Sequence, residues 1–275
     1  MSIVRFQDII DQFEHVDDPN VLELAKTNPA LRHALEISRP ENWHGTGIEP
    51  ETILAVAKES GIPVAWVPPP KVLKALVTAM PADRPAVLRR YETDILAHCR
   101  ELLRECDDEW ISDEQTLLGR ALKAYEAGHH EAAMALAVAV GEPLALWASV
   151  PRVTMFDSEA AKEAWEKTRK KEKYRLATME LAAVGPGQKL RRFDVLRHAL
   201  IAPIPKFFTP FYAKPGEAIP DTLSRHATVH QPTVRHLTVD NALVSIMLGT
   251  SILRDEQAWC EEVRMDCLLY TSRCV

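Results

Sequence analysis

The sequence predicts an all-α fold, and three features of the chain support this prediction. Apolar residues recur at helical spacing through most of its 275 residues. The helical runs end at recognisable breaks, such as Gly61 after residues 51–60. The best strand-like run, residues 62–67, is short and is followed by three prolines, so we expect an extended connector there.

The predicted elements follow in order along the chain. Helices are expected at residues 21–35, 51–60, 71–79, 86–106, 114–128, 129–150, 157–183, 189–200, 222–230 and 240–263. Thr238 is expected to cap the last of these helices. Residues 203–220, which carry four aromatic side chains, are expected to form a loop long enough to be functional.

An acidic break at residues 107–113 is the expected boundary between two regions. Residues 1–112 would form an N-terminal helical region, and residues 113–266 a C-terminal helical bundle. Residues 267–275 break the preceding pattern and resemble translated sequencing-adaptor read-through. We expect this tail to be non-native.

Composition indicates a cytoplasmic protein with reduced thiols. The longest apolar run, residues 132–140, is shorter than the ~20 residues that a membrane span needs, and the N-terminus lacks the apolar stretch of a signal peptide. The five cysteines form no CxxC pair, so neither a disulfide framework nor a zinc site is expected. Walker A, GxGxxG and HExxH motifs are absent, and we expect no cofactor and no metal.

The charge of the chain is unevenly distributed. The net charge is −6, yet residues 152–206 contain thirteen Lys and Arg against seven Asp and Glu. A basic face on an acidic protein fits selective contact with a polyanion. The alternative interpretation is a charged helix face that contacts only solvent. The predicted RNA contacts in this segment are Lys170, Lys171, Arg191 and Arg192.

One cluster, Ser224 to His230 (SRHATVH), combines a permanent cation with two imidazoles. His226 and His230 are four residues apart and share a helix face. Arg225 can hold a phosphate, and a histidine can act as general acid or base near neutral pH. These residue types suit metal-free cleavage of RNA, in which a 2′-OH attacks its own phosphodiester.

The Arg225-x4-His230 spacing, in a short helix followed by a loop and a long apolar helix, resembles the HEPN superfamily. The motif SRHATVH, followed by Asn241, is similar to an Arg-His-x3-His variant of bacterial and phage-defence helical proteins. The resemblance covers residues 114–263. The N-terminal region, through GIPVAWVPPPKVLKAL, resembles actinobacterial proteins, a resemblance that carries no function.

The HEPN resemblance implies a helical bundle that dimerises and places two Arg–His pairs in one cleft. It implies that Arg225 binds and stabilises the scissile phosphate and that His230 is the acid or base. His226 would orient the site or share proton transfer, and Asn241 and Ser224 would support it. Gln231-Pro232 departs from the family, which usually has Gly after the second His, and this changes the helix exit.

Other interpretations of the cluster stay open. On an ideal helix Arg225 and His230 lie about 140° apart, so they converge only through the length of Arg or through a partner subunit. Arg192 with His198 has similar spacing and is a second candidate. A purely structural interpretation is a surface Arg beside histidines that pack in the core.

The predicted function is a metal-independent endoribonuclease of a defence or toxin type. The alternative is a non-catalytic HEPN-like interaction or dimerisation module. A third interpretation is a helical scaffold that uses residues 203–220 as a docking arm. The expected partners are RNA, a second copy of the chain and a regulatory protein such as an antitoxin.

Overall fold

The structure is a computed structural model, and it describes residues 40–149, 192–212 and 218–271. These residues form α-helices and short 3-10 turns with no β-strand among them, so the all-α prediction is confirmed. The helices are α1 (Pro50–Ser60), α2 (Pro70–Thr78), α3 (Arg84–Arg90), α4 (Glu92–Glu105), α5 (Ser112–Glu126), α6 (His130–Ala148), α7 (Arg192–Ile201), α8 (Ile204–Phe207), α9 (Arg225–His230) and α10 (Val239–Thr271). The helices predicted at residues 21–35 and 157–183 lie outside these ranges.

The centre of the fold is the packing of α10 against α6, with α5 and α4 beside them. Helix α6 carries small buried residues at four-residue spacing, namely Ala133, Ala137, Gly141 and Ala145. Because residues four apart share a helix face, this row lets neighbouring helices approach closely. Gly128, with a φ of 82°, makes the turn between α5 and α6, which form the predicted hairpin.

Helix α6 is also long and apolar enough to cross a membrane, judged by length and composition alone. The sequence analysis did not predict this, because it considered only the shorter uninterrupted apolar run at residues 132–140. In the structure it packs against α5, α9 and α10, and half of its most apolar window is buried inside the bundle. These surroundings are those of a core helix.

The connector at residues 62–67 contains no strand, as predicted, but it is fully buried. Side chains from elsewhere satisfy its backbone oxygens. Asn42 Nδ2 donates to Val64 O at 3.0 Å, and Trp43 Nε1 donates to the same oxygen at 2.7 Å. Trp66 has a left-handed φ of 64°, and its carbonyl oxygen lies 2.9 Å from His98 Nε2.

Several predicted elements differ from the structure in their bounds. The last helix, expected at residues 240–263, extends to Thr271, and the helix expected at residues 222–230 begins at Arg225. The helix expected at residues 86–106 is interrupted at Tyr91, where φ and ψ are −109° and 17°. The two parts pack on different neighbours, because α3 lies mainly against α2 whereas α4 lies against α10 and α5. The loop expected at residues 203–220 contains the short helix α8, which Pro203 precedes and buried Phe207 anchors.

One cluster of buried apolar side chains extends from Trp43 to Leu253. Residues on both sides of the predicted boundary at residue 112 therefore contribute to the same core. The boundary itself coincides with the first residue of α5.

Candidate active site

Helix α9 positions the Arg–His cluster, and Ser224 fixes where this helix begins. Ser224 is extended, with φ −132° and ψ 120°, and its Oγ accepts the N–H of Ala227 at 3.3 Å. The same hydroxyl donates to Thr209 O at 3.0 Å, which ties the helix start to the preceding segment. Ser224 is therefore a buried N-cap, and its role in supporting an active site stays a prediction.

Arg225 and His230 meet within one chain. Arg225 Nη1 lies 3.1 Å from His230 Nε2, although the two residues begin on different sides of the helix. The length of the arginine side chain therefore closes the gap without a partner subunit. Because arginine can only donate, the contact fits a neutral His230 ring whose Nε2 accepts.

A carboxylate, Glu142 on α6, is the third group of this cluster. Glu142 Oε1 lies 2.8 Å from Arg225 Nη2, and both side chains are mostly buried, with 27% and 18% exposure. His230 is exposed at the end of the helix. The guanidinium is thus held between a carboxylate on the protein side and an imidazole on the solvent side.

His226 is oriented by the backbone and lies within a row of rings. Its Nδ1 donates to Phe211 O at 2.7 Å, which leaves Nε2 as the acceptor nitrogen of the neutral ring. The ring centroid lies 4.7 Å from that of His230 and 4.9 Å from that of Tyr212. Tyr212, His226 and His230 therefore form a continuous row, which we call the ring row.

A fully buried histidine, His236, lies in the loop between α9 and α10 and contacts the backbone before the start of α9. Its Nδ1 lies 3.0 Å from Pro220 O and its Nε2 lies 3.1 Å from Ser224 O. A neutral ring can donate to one of these oxygens and an imidazolium to both. Asn241 Nδ2 donates to His236 O at 2.9 Å, which links the first turn of α10 to His236, and its predicted support of the site stays a prediction.

Thr238 caps α10, as the sequence predicts. Its Oγ1 accepts the N–H of Asn241 at 3.2 Å. The cap fixes the first turn of α10 next to the loop that follows α9. The α10 end of this loop is therefore held by hydrogen bonds between side chains and the backbone.

Sequence reasoning missed Glu142 and His236. Glu142 is a carboxylate in an otherwise apolar stretch of α6, which was the available signal, but its partner lies on a distant helix. His236 follows Pro232 in a turn, where no periodic pattern marks a buried position.

The side chains predicted to bind RNA lie outside the part of the chain that the structure describes. Lys170, Lys171 and Arg191 lie outside the described ranges, and Arg192 begins α7 without a described side chain. His198, the partner of Arg192 in the second candidate pair, is buried. Within residues 40–149, 192–212 and 218–271, no group of three or more metal-ligand side chains is close enough to hold a metal ion.

Comparisons of this chain with protein-family models, with characterised proteins and with solved structures found no match. A functional proposal for this site therefore depends on its geometry and on the motif that builds it.

Proposed function

We propose that this chain is a metal-independent endoribonuclease of the HEPN type. The observation that supports this proposal best is the 3.1 Å contact between Arg225 and His230 at the exposed end of α9. This contact places the permanently charged guanidinium of Arg225 beside the imidazole of His230, whose Nε2 can accept a hydrogen bond when the ring is neutral. A cation beside the phosphate and a nearby base are two of the groups that RNA cleavage without a metal uses.

In the proposed reaction, the 2′-OH of RNA attacks the adjacent phosphorus. His230 Nε2 accepts the 2′-OH proton while the bond from O2′ to phosphorus forms. Arg225 stabilises the negative charge on the pentacoordinate phosphate. The bond from phosphorus to O5′ then breaks and His230 gives its proton to O5′. The products carry a 2′,3′-cyclic phosphate and a 5′-OH, and His230 is neutral again.

The proposal gives the neighbouring side chains defined tasks. A phosphate oxygen that takes over the Nη1 donor of Arg225 would release Nε2 of His230 to act as the base. His226, held through Nδ1 by Phe211 O, would orient His230 or share the proton transfer. Glu142 would keep the guanidinium aimed at the surface until phosphate competes for it.

The wider setting belongs to the same proposal. The enzyme would act in the bacterial cytoplasm, in a defence or toxin system, as a homodimer. RNA would be the substrate, and an antitoxin or other regulatory protein would control it. The basic segment at residues 152–206, including Lys170, Lys171, Arg191 and Arg192, would contact the RNA backbone.

Cleavage of RNA in EDTA by the purified full-length protein tests this function. Single-stranded and hairpin RNAs would be incubated with wild type, Arg225→Ala and His230→Ala. We expect cleavage by wild type and a loss of about 10²- to 10⁴-fold in each variant, since general acid–base catalysis contributes about that much.

Two matched controls separate a specific effect from a general one. Arg235→Ala removes an exposed arginine from the loop after α9, and His129→Ala removes an exposed histidine before α6. Both are expected to cleave at the wild-type rate. A folded wild type that cleaves none of these RNAs, or an Arg225→Ala variant as active as Arg235→Ala, would overturn the proposal.

A second candidate function is a non-catalytic helical interaction module. It is favoured by the ion pair between Arg225 and Glu142, because a carboxylate already occupies one edge of the guanidinium. In that case the cluster serves to attach α9 to α6. The cleavage assay separates the two functions, since the module has no activity to lose.

A further inference from the structure

The loop before α9 contains four aromatic residues with very different surroundings. Phe207, Phe208 and Phe211 are buried, with at most 8% exposure. Tyr212 is 58% exposed. The core therefore accounts for the three phenylalanines and leaves the tyrosine ring on the surface.

The position of Tyr212 is defined by the Arg–His cluster. Its ring makes an edge contact with His226, with centroids 4.9 Å apart and an interplanar angle of 66°. His226 in turn contacts His230, whose Nε2 meets Arg225. The ring row thus begins at the exposed face of Tyr212 and ends at His230, which contacts the guanidinium of Arg225.

An aromatic face and a cation that are separated by a short row of rings suit single-stranded RNA. A base that is not paired can stack on a tyrosine while the adjoining phosphate meets the arginine. In a duplex the bases are stacked on each other, so the tyrosine face has no base to accept. Stacking is tolerant of sequence, because every base has a flat π face.

We infer that Tyr212 is a base-stacking residue that makes this site select single-stranded RNA. It would hold the base next to the phosphate bound by Arg225. This inference rests on the proposed function, since it assigns the substrate class of the same site. Tyr212 is a specificity residue in this account, and the chemistry remains with Arg225 and His230.

Equilibrium binding of uncleavable RNA tests the inference apart from catalysis. The probe is a fluorescent 2′-O-methyl RNA oligonucleotide, in which the attacking hydroxyl is blocked, as a single strand and as a duplex. Tyr212→Ala is expected to weaken single-strand binding about 10- to 100-fold, the usual effect of removing one stacking aromatic. Duplex binding is expected to stay within about twofold of wild type.

Two variants make the result specific to the ring at this position. Tyr212→Phe keeps the stacking face and is expected to bind the single strand about as well as wild type. Trp110→Ala removes an aromatic residue that is 69% exposed on a separate 3-10 turn, Glu109–Ile111. It is expected to change neither binding constant.

An abasic probe identifies the stacked nucleotide. Abasic residues placed one at a time along the single strand should weaken wild-type binding at one position by about as much as Tyr212→Ala does. The same abasic residue should add no further loss in the Tyr212→Ala variant.

The outcomes distinguish this inference from the proposed function. If wild type cleaves RNA but Tyr212→Ala lowers single-strand and duplex binding equally, or lowers neither, the inference is wrong and the ribonuclease proposal stands. If wild type binds and cleaves no RNA, both are wrong.

Discussion

Substitution of Gly249 by alanine tests a tight contact between two central helices. Gly249 lies in α10, and a Cβ atom there would be 2.6 Å from Leu118 Cδ2 and 3.2 Å from Cδ1 on α5. Leu118 is fully buried, so its side chain cannot swing into solvent. Overpacking of a core in this way costs about 1–3 kcal/mol.

Gly119→Ala provides the reference, because it is the same substitution in the interior of α5. A Cβ at Gly119 would have no atom within 4 Å. Alanine is a better helix former than glycine by about 0.5–1 kcal/mol, so Gly119→Ala is expected to stabilise the protein by that amount. The same gain in helix propensity applies at Gly249. The difference in unfolding free energy between the two variants therefore measures the cost of the close contact with Leu118.

Urea unfolding followed by circular dichroism measures this difference. Gly249→Ala is expected to be less stable than Gly119→Ala by about 1–3 kcal/mol. In a Leu118→Ala background the clash is gone, and Gly249→Ala should no longer be unfavourable. Equal stability of Gly249→Ala and Gly119→Ala would refute the contact and with it the packing of α10 on α5.

Three further predictions concern the site and the core. Ser224→Ala removes the cap of α9 and its bond to the preceding loop, and it should lower the free energy of unfolding by about 1–2 kcal/mol, whereas an unchanged urea midpoint would contradict the cap. Glu142→Gln removes the charge that competes for Arg225, so the 2′-O-methyl single strand should bind severalfold tighter; weaker binding would mean that Glu142 mainly positions the guanidinium. Burial raises the pKa of Cys99 and of Cys106 to about 12, so thiolate is scarce at pH 8 and iodoacetamide should label neither in the folded protein. Mass spectrometry of the labelled peptides checks this, and labelling at the rate of a free thiol would contradict the buried placement.

The parts of the site that local chemistry specifies could be predicted from the sequence. Thr238 is the predicted cap of α10, because a cap depends on the few residues that follow it. The cap at Ser224 was not predicted, since the helix was expected to begin at residue 222 and begins at Arg225. The contact between Arg225 and His230 was a conditional prediction, because the angle on the helix required either a long side chain or a second subunit. The structure shows that the side chain is long enough.

The parts that depend on tertiary packing could not be predicted in this way. The apolar pattern of α3 and α4 reads as one helix, and the break at Tyr91 follows from the different neighbours of the two halves. Glu142 meets Arg225 only because α9 packs on α6. The periodicity of the sequence also does not show which aromatic residues between α7 and α9 are buried. It therefore could not predict that Tyr212 is exposed.

We propose that Arg225 and His230 cleave RNA without a metal, and the ends of the cleaved strand test this most directly. Mass spectrometry of the products formed in EDTA should show a 2′,3′-cyclic phosphate on one fragment and a 5′-OH on the other. These products should be absent with His230→Ala and present with His129→Ala. Fragments with a 5′-phosphate and a 3′-OH, or cyclic phosphate formed equally by His230→Ala, would contradict the account.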